Sequence, residues 1–174
     1  TRQTQFRVRP ANETAVPAIL RIYNHFVLTS AATFDTEPES LEKRLAWFQQ
    51  HGPNHPVLVL EHEGEVRGWA SLSEWSTRCA YAKTAETSIY IDEPFQGRGA
   101  GKVLLRGLID AGRDVGLRTL LARIATTQAA SIRLHEGAGF RVVGTMERVG
   151  EKFGKLLDVC VMQYMYPSDP PAGA

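Results

Sequence analysis

The strongest chemical signal in the sequence is a glycine-rich turn between an apolar strand pattern and an amphipathic helix pattern. Its residues are Gln96-Gly97-Arg98-Gly99-Ala100-Gly101-Lys102. Glycines have no Cβ, so the backbone can approach an anion closely. The first N–H groups of the following helix lack partners within it and carry partial positive charge. The turn therefore predicts a site for a phosphate or pyrophosphate group.

Three nucleotide-binding motifs can be compared with this turn. A Walker A loop needs glycine at Gln96 and serine or threonine at Val103, and the dinucleotide fingerprint starting at Gly97 has Lys102 in place of its third glycine. Both are disfavoured. The turn matches the Gln/Arg-x-x-Gly-x-Gly/Ala pattern of GNAT acetyltransferases, which in that family holds the pyrophosphate of coenzyme A. The same glycines are compatible with a tight strand-to-helix turn that binds nothing.

A carboxylate on the strand before the turn and a histidine on a later helix can act in proton transfer. Alternation along the preceding strand places Glu86, Ser88 and Tyr90 on one face. An amine is mostly protonated at neutral pH, so Glu86 could take its proton directly or through water. His135 follows Ser131 by four residues and shares its helix face, as an acid, a base or a hydrogen-bond organiser. The alternatives are a solvated strand-end carboxylate and a packed or surface histidine.

The elements that position these residues follow from hydrophobic periodicity. It predicts strands at 6–9, 57–61, 66–74, 86–91 and 119–124, a final strand pair around 139–145 and 156–166, and helices at 14–28, after the capping residue Ser40, at 102–115 and at 129–136. The segment 57–74 reads as an antiparallel hairpin, and the glycine turn belongs to one β-turn-α-β unit. We therefore expect a single α+β domain over 1–166 with a mixed sheet, followed by a flexible tail at 167–174.

The composition narrows the class of protein. The chain has 174 residues, 43% of them hydrophobic, and 20 basic side chains nearly balance 19 acidic ones. No global field therefore favours nucleic acid or an anionic membrane. No apolar run approaches the ~20 residues of a membrane span or forms a signal-peptide core. Because Cys79 and Cys160 form neither a disulfide framework nor a metal-ligand spacing, we expect a cytoplasmic protein.

From Val8 to Tyr166 the chain resembles the phosphinothricin acetyltransferase group of the GNAT superfamily, which includes acetylases of methionine sulfoximine and methionine sulfone. The segments that carry the resemblance are Ile22-Tyr23-Asn24-His25, Ala32-Thr33-Phe34-Asp35-Thr36-Glu37-Pro38, Arg78-Cys79-Ala80-Tyr81, Thr84 to Ile91, Leu134-His135-Glu136 and Gly150-Glu151-Lys152-Phe153-Gly154. The resemblance implies a mostly antiparallel sheet flanked by helices with a central splayed strand pair. It also implies acetyl-CoA as cosubstrate, no metal, a small amino-acid substrate and a homodimer.

The same resemblance assigns roles to individual residues. It places Ile89, Tyr90 and Ile91 along the pantetheine arm, and Gln128 and Ser131 in the family's second cofactor signature. Gln128 stands where many relatives carry asparagine, so that cofactor contact differs. Family position also agrees with Glu86 as the base. His135 occupies the slot where many GNAT enzymes have the tyrosine that protonates the thiolate, and histidine is the catalytic residue there in the phosphinothricin group.

A free carboxylate on the substrate favours a guanidinium partner, since the planar fork donates two parallel hydrogen bonds. Arg78 with Tyr81, before the cofactor strand, is the candidate, the alternative being a surface arginine. Phe34 can pack against the substrate side chain, and Lys152-Phe153 can close the other side of the substrate site.

Two other functions stay open. The chain can acetylate a protein N-terminus or a polyamine, in which case replacing Arg78 would not affect activity. It can also be a coenzyme A-binding sensor without turnover, although the presence of Glu86 and His135 disfavours this alternative.

Overall fold

The computed structural model describes residues 5–168. Seven strands form one sheet in the order β1-β2-β3-β4-β5-β7-β6, and β4 and β5 are its one parallel pair among these residues. The strands are β1 Arg7–Pro10, β2 Val57–His62, β3 Glu65–Glu74, β4 Thr84–Ile91, β5 Thr119–Ala125, β6 Arg141–Lys152 and β7 Lys155–Met165. The helices are α1 Val16–Thr29, α2 Leu41–Gln49, α3 Ala100–Asp114 and α4 Ala129–Gly137. The predicted mixed, mostly antiparallel α+β fold is confirmed.

The two parallel strands separate soon after they meet. They pair only from Thr84 to Glu86 of β4 and from Thr119 to Leu121 of β5. Beyond this point β4 continues beside β3 as far as Ile91, and β5 continues beside β7. The predicted splayed strand pair is therefore confirmed, and Glu86 is the last residue of β4 before the fork.

Two cores lie on opposite faces of the sheet, because alternate residues of one strand contribute to different cores. Leu58 and Leu60 of β2 pack with the apolar side of α3, whereas Val57 and Val59 pack with α1. Both α3 and α1 carry apolar residues at helical spacing, which form a buried stripe on each helix. Each fully buried leucine or valine side chain contributes about 1.5–3 kcal/mol, so burial of these stripes holds the helices against the sheet.

The ends of some elements differ from the predicted ranges. The strand predicted at 139–145 continues to Lys152, with register shifts between Val142 and Gly144 and between Met146 and Gly150. These irregularities break the alternation of apolar and polar residues, which is why the predicted strand is shorter than the observed one. Helix α3 begins at Ala100, within the glycine turn. Apart from its first two residues, the predicted tail at 167–174 lies outside the described residues.

None of the helices that the structure describes is long and apolar enough to cross a membrane.

Candidate active site

A cavity of about 960 Å³ opens where β4 and β5 separate. Small-molecule sites typically occupy about 300–1,000 Å³. The cavity brings together most of the predicted site residues, namely Phe34, Glu86, Ile89, Tyr90, Ile91, Gln96, Gly97, Gly99, Gly101, Lys102, Gln128, Ser131 and His135. The fork in the sheet therefore gathers residues from β4, the glycine turn, α4 and the loop after α1 around one space.

The glycine turn borders this cavity with an open backbone. Gly97 and Gly99 have φ angles of +73° and +83°, and a Cβ added to either would meet no protein atom within 4 Å. Gly99 is the N-cap of α3, so the unpaired N–H groups of the first helical turn follow it directly. The turn thus combines left-handed glycines, free space and a helix N-terminus, as the phosphate prediction requires.

Other residues of the turn have structural roles. The Gln96 side chain donates a hydrogen bond of 3.0 Å to the carbonyl of Ile91, which ties the turn to the end of β4. A Cβ on Gly101 would approach Leu134 of α4 to 3.1 Å, so this glycine lets the two helices lie close together. Ala100 is buried, and the Arg98 guanidinium lies 5.3 Å from the Phe95 ring centre. Neither Ala100 nor Arg98 lines the cavity.

Glu86 forms a two-point ion pair with Arg123 of β5. The Arg123 Nη2 group lies 2.8 Å from Glu86 Oε1, and its Nε group donates to Oε2. The guanidinium also lies 5.3 Å from the ring centre of Trp75. The hydrogen bonds to Glu86 raise the pKa of Arg123. The base predicted at the fork therefore has a cation beside it inside the cavity.

Arg123 was not predicted, because the strand alternation that points to it is informative only once the strand register is known. Glu86 is paired with Leu121, and alternation places the side chain of Arg123 on the same face as that of Leu121. This inference requires knowing that β4 and β5 are parallel neighbours in that register. Neither the neighbour relation nor the register can be read from the two segments alone.

His135 borders the cavity but is almost fully buried, at 2% exposure. Its Nδ1 lies 2.8 Å from the Ser131 carbonyl oxygen, and its Nε2 lies 3.4 Å from the Thr87 hydroxyl. Burial lowers the pKa of His135, which favours the neutral ring. A carbonyl can only accept, so Nδ1 carries the proton and Nε2 is an acceptor. It faces the Thr87 hydroxyl, whose single proton it shares with the Leu121 carbonyl, also at 3.4 Å.

The acid sensitivity of the fold should report on this buried histidine. We expect the free energy of unfolding to decrease as the pH falls from 7 towards 5, with a shallower slope in His135→Gln. Burial lowers the pKa values of His135 and His51. Histidines in the unfolded chain have a pKa of about 6.5. As the pH falls, the unfolded chain therefore binds protons that the folded chain does not bind. Each such proton contributes at most about 1.4 kcal/mol per pH unit. Urea titrations at a series of pH values measure the slope, and identical slopes in both proteins would contradict a neutral, buried His135.

The loop after α1 forms one wall of the cavity and is held by Lys152. The Lys152 ammonium donates to the carbonyls of Ser30 and Thr33, at 2.7 and 2.8 Å. Burial lowers its pKa. Lys152 does not line the cavity; it fixes the loop that carries Phe34, which does. Phe153 is 61% exposed in the turn between β6 and β7 and also lies outside the cavity lining.

Arg78 and Tyr81 lie in and beside a short 3-10 turn between β3 and β4. Both are exposed, and neither lines the cavity. Their predicted contact with a substrate carboxylate stays a prediction.

Comparisons with known proteins identify the family of this chain. Residues 19–140 match the Acetyltransferase (GNAT) family. The chain is 40% identical over 157 residues to L-amino acid N-acyltransferase MnaT of Escherichia coli (strain K12), covering 90% of this chain and 91% of the relative. It is 41% identical over 157 residues to L-methionine sulfoximine/L-methionine sulfone acetyltransferase of Salmonella typhimurium, covering 90% and 92%.

A solved structure extends the comparison to three dimensions. A GNAT superfamily phosphinothricin acetyltransferase from Sinorhizobium meliloti, in complex with acetyl-CoA, superposes with a TM-score of 0.90 at 32% identity. The alignment covers 97% of this chain and 94% of that one. The resemblance noted in the sequence is confirmed: the chain belongs to the GNAT acetyltransferase family.

Proposed function

We propose that the protein transfers the acetyl group of acetyl-CoA to the amino group of a small amino-acid-like substrate, of the phosphinothricin, methionine sulfoximine or methionine sulfone type. One observation carries the proposal: the Glu86 carboxylate stands at the strand fork, in the same cavity as the glycine turn. The names of the relatives at 40% and 41% identity support the class of substrate. The acetyl-CoA bound by the S. meliloti protein supports the donor.

The fork offers a path for the pantetheine arm. Beyond Glu86, residues 87–91 of β4 do not pair with β5, so the backbone groups along that edge are available to the amides of the arm. Ile89, Tyr90 and Ile91 all border the cavity. At the end of β4 the chain enters the glycine turn, where the first N–H groups of α3 can bind the pyrophosphate. Gln128 and Ser131 at the start of α4 form the adjoining wall.

Transfer occurs directly between the two substrates in this proposal. The amine nitrogen attacks the thioester carbonyl, the new C–N bond forms, and the C–S bond breaks as the thiolate leaves. The ammonium must first lose a proton, which Glu86 receives directly or through water. An ionised carboxylate has about four acceptor positions, and Arg123 occupies two of those on Glu86. The remaining positions are available to the ammonium.

His135 acts through Thr87 in this proposal, as a positioning residue. A general acid would need a protonated ring, which burial disfavours, since it lowers the pKa of His135. A neutral ring with Nε2 as acceptor instead orients the Thr87 hydroxyl, which borders the cavity. The thiolate then takes its proton from solvent or from the amine.

An amine screen tests the proposed function. The protein is supplied with acetyl-CoA and with phosphinothricin, L-methionine sulfone, L-methionine sulfoximine, spermidine or a short peptide, and free thiol release is recorded. We expect the highest kcat/KM for the amino acids. A preference for spermidine or the peptide would contradict the substrate class. Binding of acetyl-CoA without thiol release for any amine would instead favour a non-catalytic sensor.

The homodimer implied by the resemblance also stays a proposal. Apolar side chains on β6 support it: Val142, Val143, Met146 and Val149 are between 39% and 55% exposed. Met146 and Val149 also line the cavity, so a second copy against this strand would cover the side of the site.

A further inference from the structure

Arg123 uses only one edge of its guanidinium group to hold Glu86. The Nε and Nη2 groups face the carboxylate. The other edge, formed by Nη1 and the second Nη2 proton, has no hydrogen bond to any residue between 5 and 168. The central carbon of the guanidinium, Cζ, lies 5.3 Å from the Trp75 ring centre. An aromatic ring and a carboxylate therefore orient the group from two sides. Arginine has five N–H donors in a rigid plane, and this arrangement leaves a complete donor pair unused.

Arg123 borders the cavity beside the proposed base. Arg123 and Glu86 both line this space. An α-amino acid carries its ammonium and its carboxylate on one carbon atom, so the groups that bind them must lie side by side. Glu86 and Arg123 lie side by side, the first with the negative charge that an ammonium needs and the second with the positive charge that a carboxylate needs. Their pairing also keeps the guanidinium in place before the substrate arrives, which reduces the ordering cost of binding.

We propose that Arg123 binds the α-carboxylate of the amino-acid substrate through its free edge while Glu86 binds the adjacent amino group. Arg123 is then a specificity-determining residue, and the Glu86–Arg123 pair selects zwitterionic α-amino acids over simple amines. This inference rests on the proposed N-acetyltransferase function. It departs from the sequence expectation for Arg78, because Arg123 lines the cavity and Arg78 does not.

The test compares two substrates that differ only at the carboxylate: L-methionine sulfone and its primary carboxamide. Each is titrated with acetyl-CoA, using wild type, Arg123→Gln, Arg123→Lys and Arg78→Gln, at pH values chosen for equal fractions of neutral amine. We expect Arg123→Gln to raise KM for the free acid by about 10- to 100-fold, since a charge-assisted hydrogen bond contributes roughly 1.5–3 kcal/mol. The carboxamide should change by less than about threefold. For the free acid, the KM of Arg123→Lys should lie between those of wild type and Arg123→Gln, because lysine keeps the charge but loses the paired donors.

The substrate pair separates recognition from a structural effect. Loss of the Glu86 ion pair alone would alter the chemical step for both substrates equally and would leave the acid-to-amide ratio of kcat/KM unchanged. Collapse of that ratio in Arg123→Gln supports the proposal. An intact ratio in Arg123→Gln, or a collapse in Arg78→Gln alone, would overturn it.

Arg113→Gln is the matched control. Arg113 has similar exposure, 54% against 52%, and also pairs with a carboxylate and lies near an aromatic ring, Tyr166. It lies on α3 away from the cavity lining, so its replacement should not alter the ratio. The same measurements distinguish failure of the proposed function from failure of the Arg123 assignment. If no amine stimulates thiol release in wild type, the proposed function fails; if wild type prefers the acid and Arg123→Gln keeps that preference, only this inference fails.

Discussion

Replacing Glu86 by glutamine is expected to lower kcat by about a hundredfold to ten-thousandfold, the usual contribution of a general acid or base. The neutral amide cannot accept the proton that the substrate ammonium must lose. Acetyl-CoA affinity should change little, because Glu86 stands at the fork and the glycine turn lies beyond the far end of β4. Single-turnover thiol release measures the chemical step apart from product release.

The pH dependence of this variant identifies the missing step. As the pH rises, more substrate arrives already neutral, so the rate of Glu86→Gln should approach that of wild type. Glu61→Gln provides the control: Glu61 also lies on a strand and pairs with an arginine, through contacts of 2.7 Å from Arg9. It lies on β2, next to the edge strand β1, and does not line the cavity, so we expect wild-type kinetics. A wild-type chemical rate in Glu86→Gln would exclude Glu86 as the base.

The parts of the site that follow from local pattern could be predicted from the sequence. The glycine turn was found because left-handed glycines at a strand-to-helix junction leave a sequence signature. Both Gly97 and Gly99 have positive φ angles. The faces of β4 were also foreseen, since alternation along a strand is a local property: Tyr90 packs towards Tyr23 and Trp69, whereas Ile89 packs towards the other core.

The contacts between distant segments could not be predicted in the same way. Arg123 meets Glu86 across 37 positions of sequence, and Lys152 meets Thr33 across 119. Neither arginine nor lysine carries a local signal for its partner, and a surface position is the ordinary expectation for both. Lys152 holds the loop that carries Phe34, a contact that the sequence did not indicate, and its predicted place at the substrate stays a prediction. Residue type alone indicates that these side chains are charged. Their partners depend on strand register and on the path of the loops, which the sequence does not show locally.

Replacing Gly99 by valine is expected to weaken acetyl-CoA binding by about a hundredfold, or ~2.7 kcal/mol. A Cβ at this position meets no protein atom within 4 Å. The new side chain would therefore occupy the open space where a pyrophosphate must approach the N–H groups of α3. Valine at a φ of +83° also strains the backbone, at a cost of about 1–3 kcal/mol. Calorimetric titration measures the affinity, and thermal unfolding measures the stability.

Gly64→Val separates backbone strain from a blocked cofactor site. Gly64 lies in the β2–β3 turn with a φ of +82° and equally open surroundings, and it does not line the cavity. Both variants should therefore lose a similar amount of stability, whereas only Gly99→Val should lose acetyl-CoA affinity. Equal affinities in the two folded variants would remove the glycine turn from the cofactor site. A loss confined to Gly99→Val would assign the open space beside the turn to the pyrophosphate, because both substitutions place a valine at a positive φ in open surroundings.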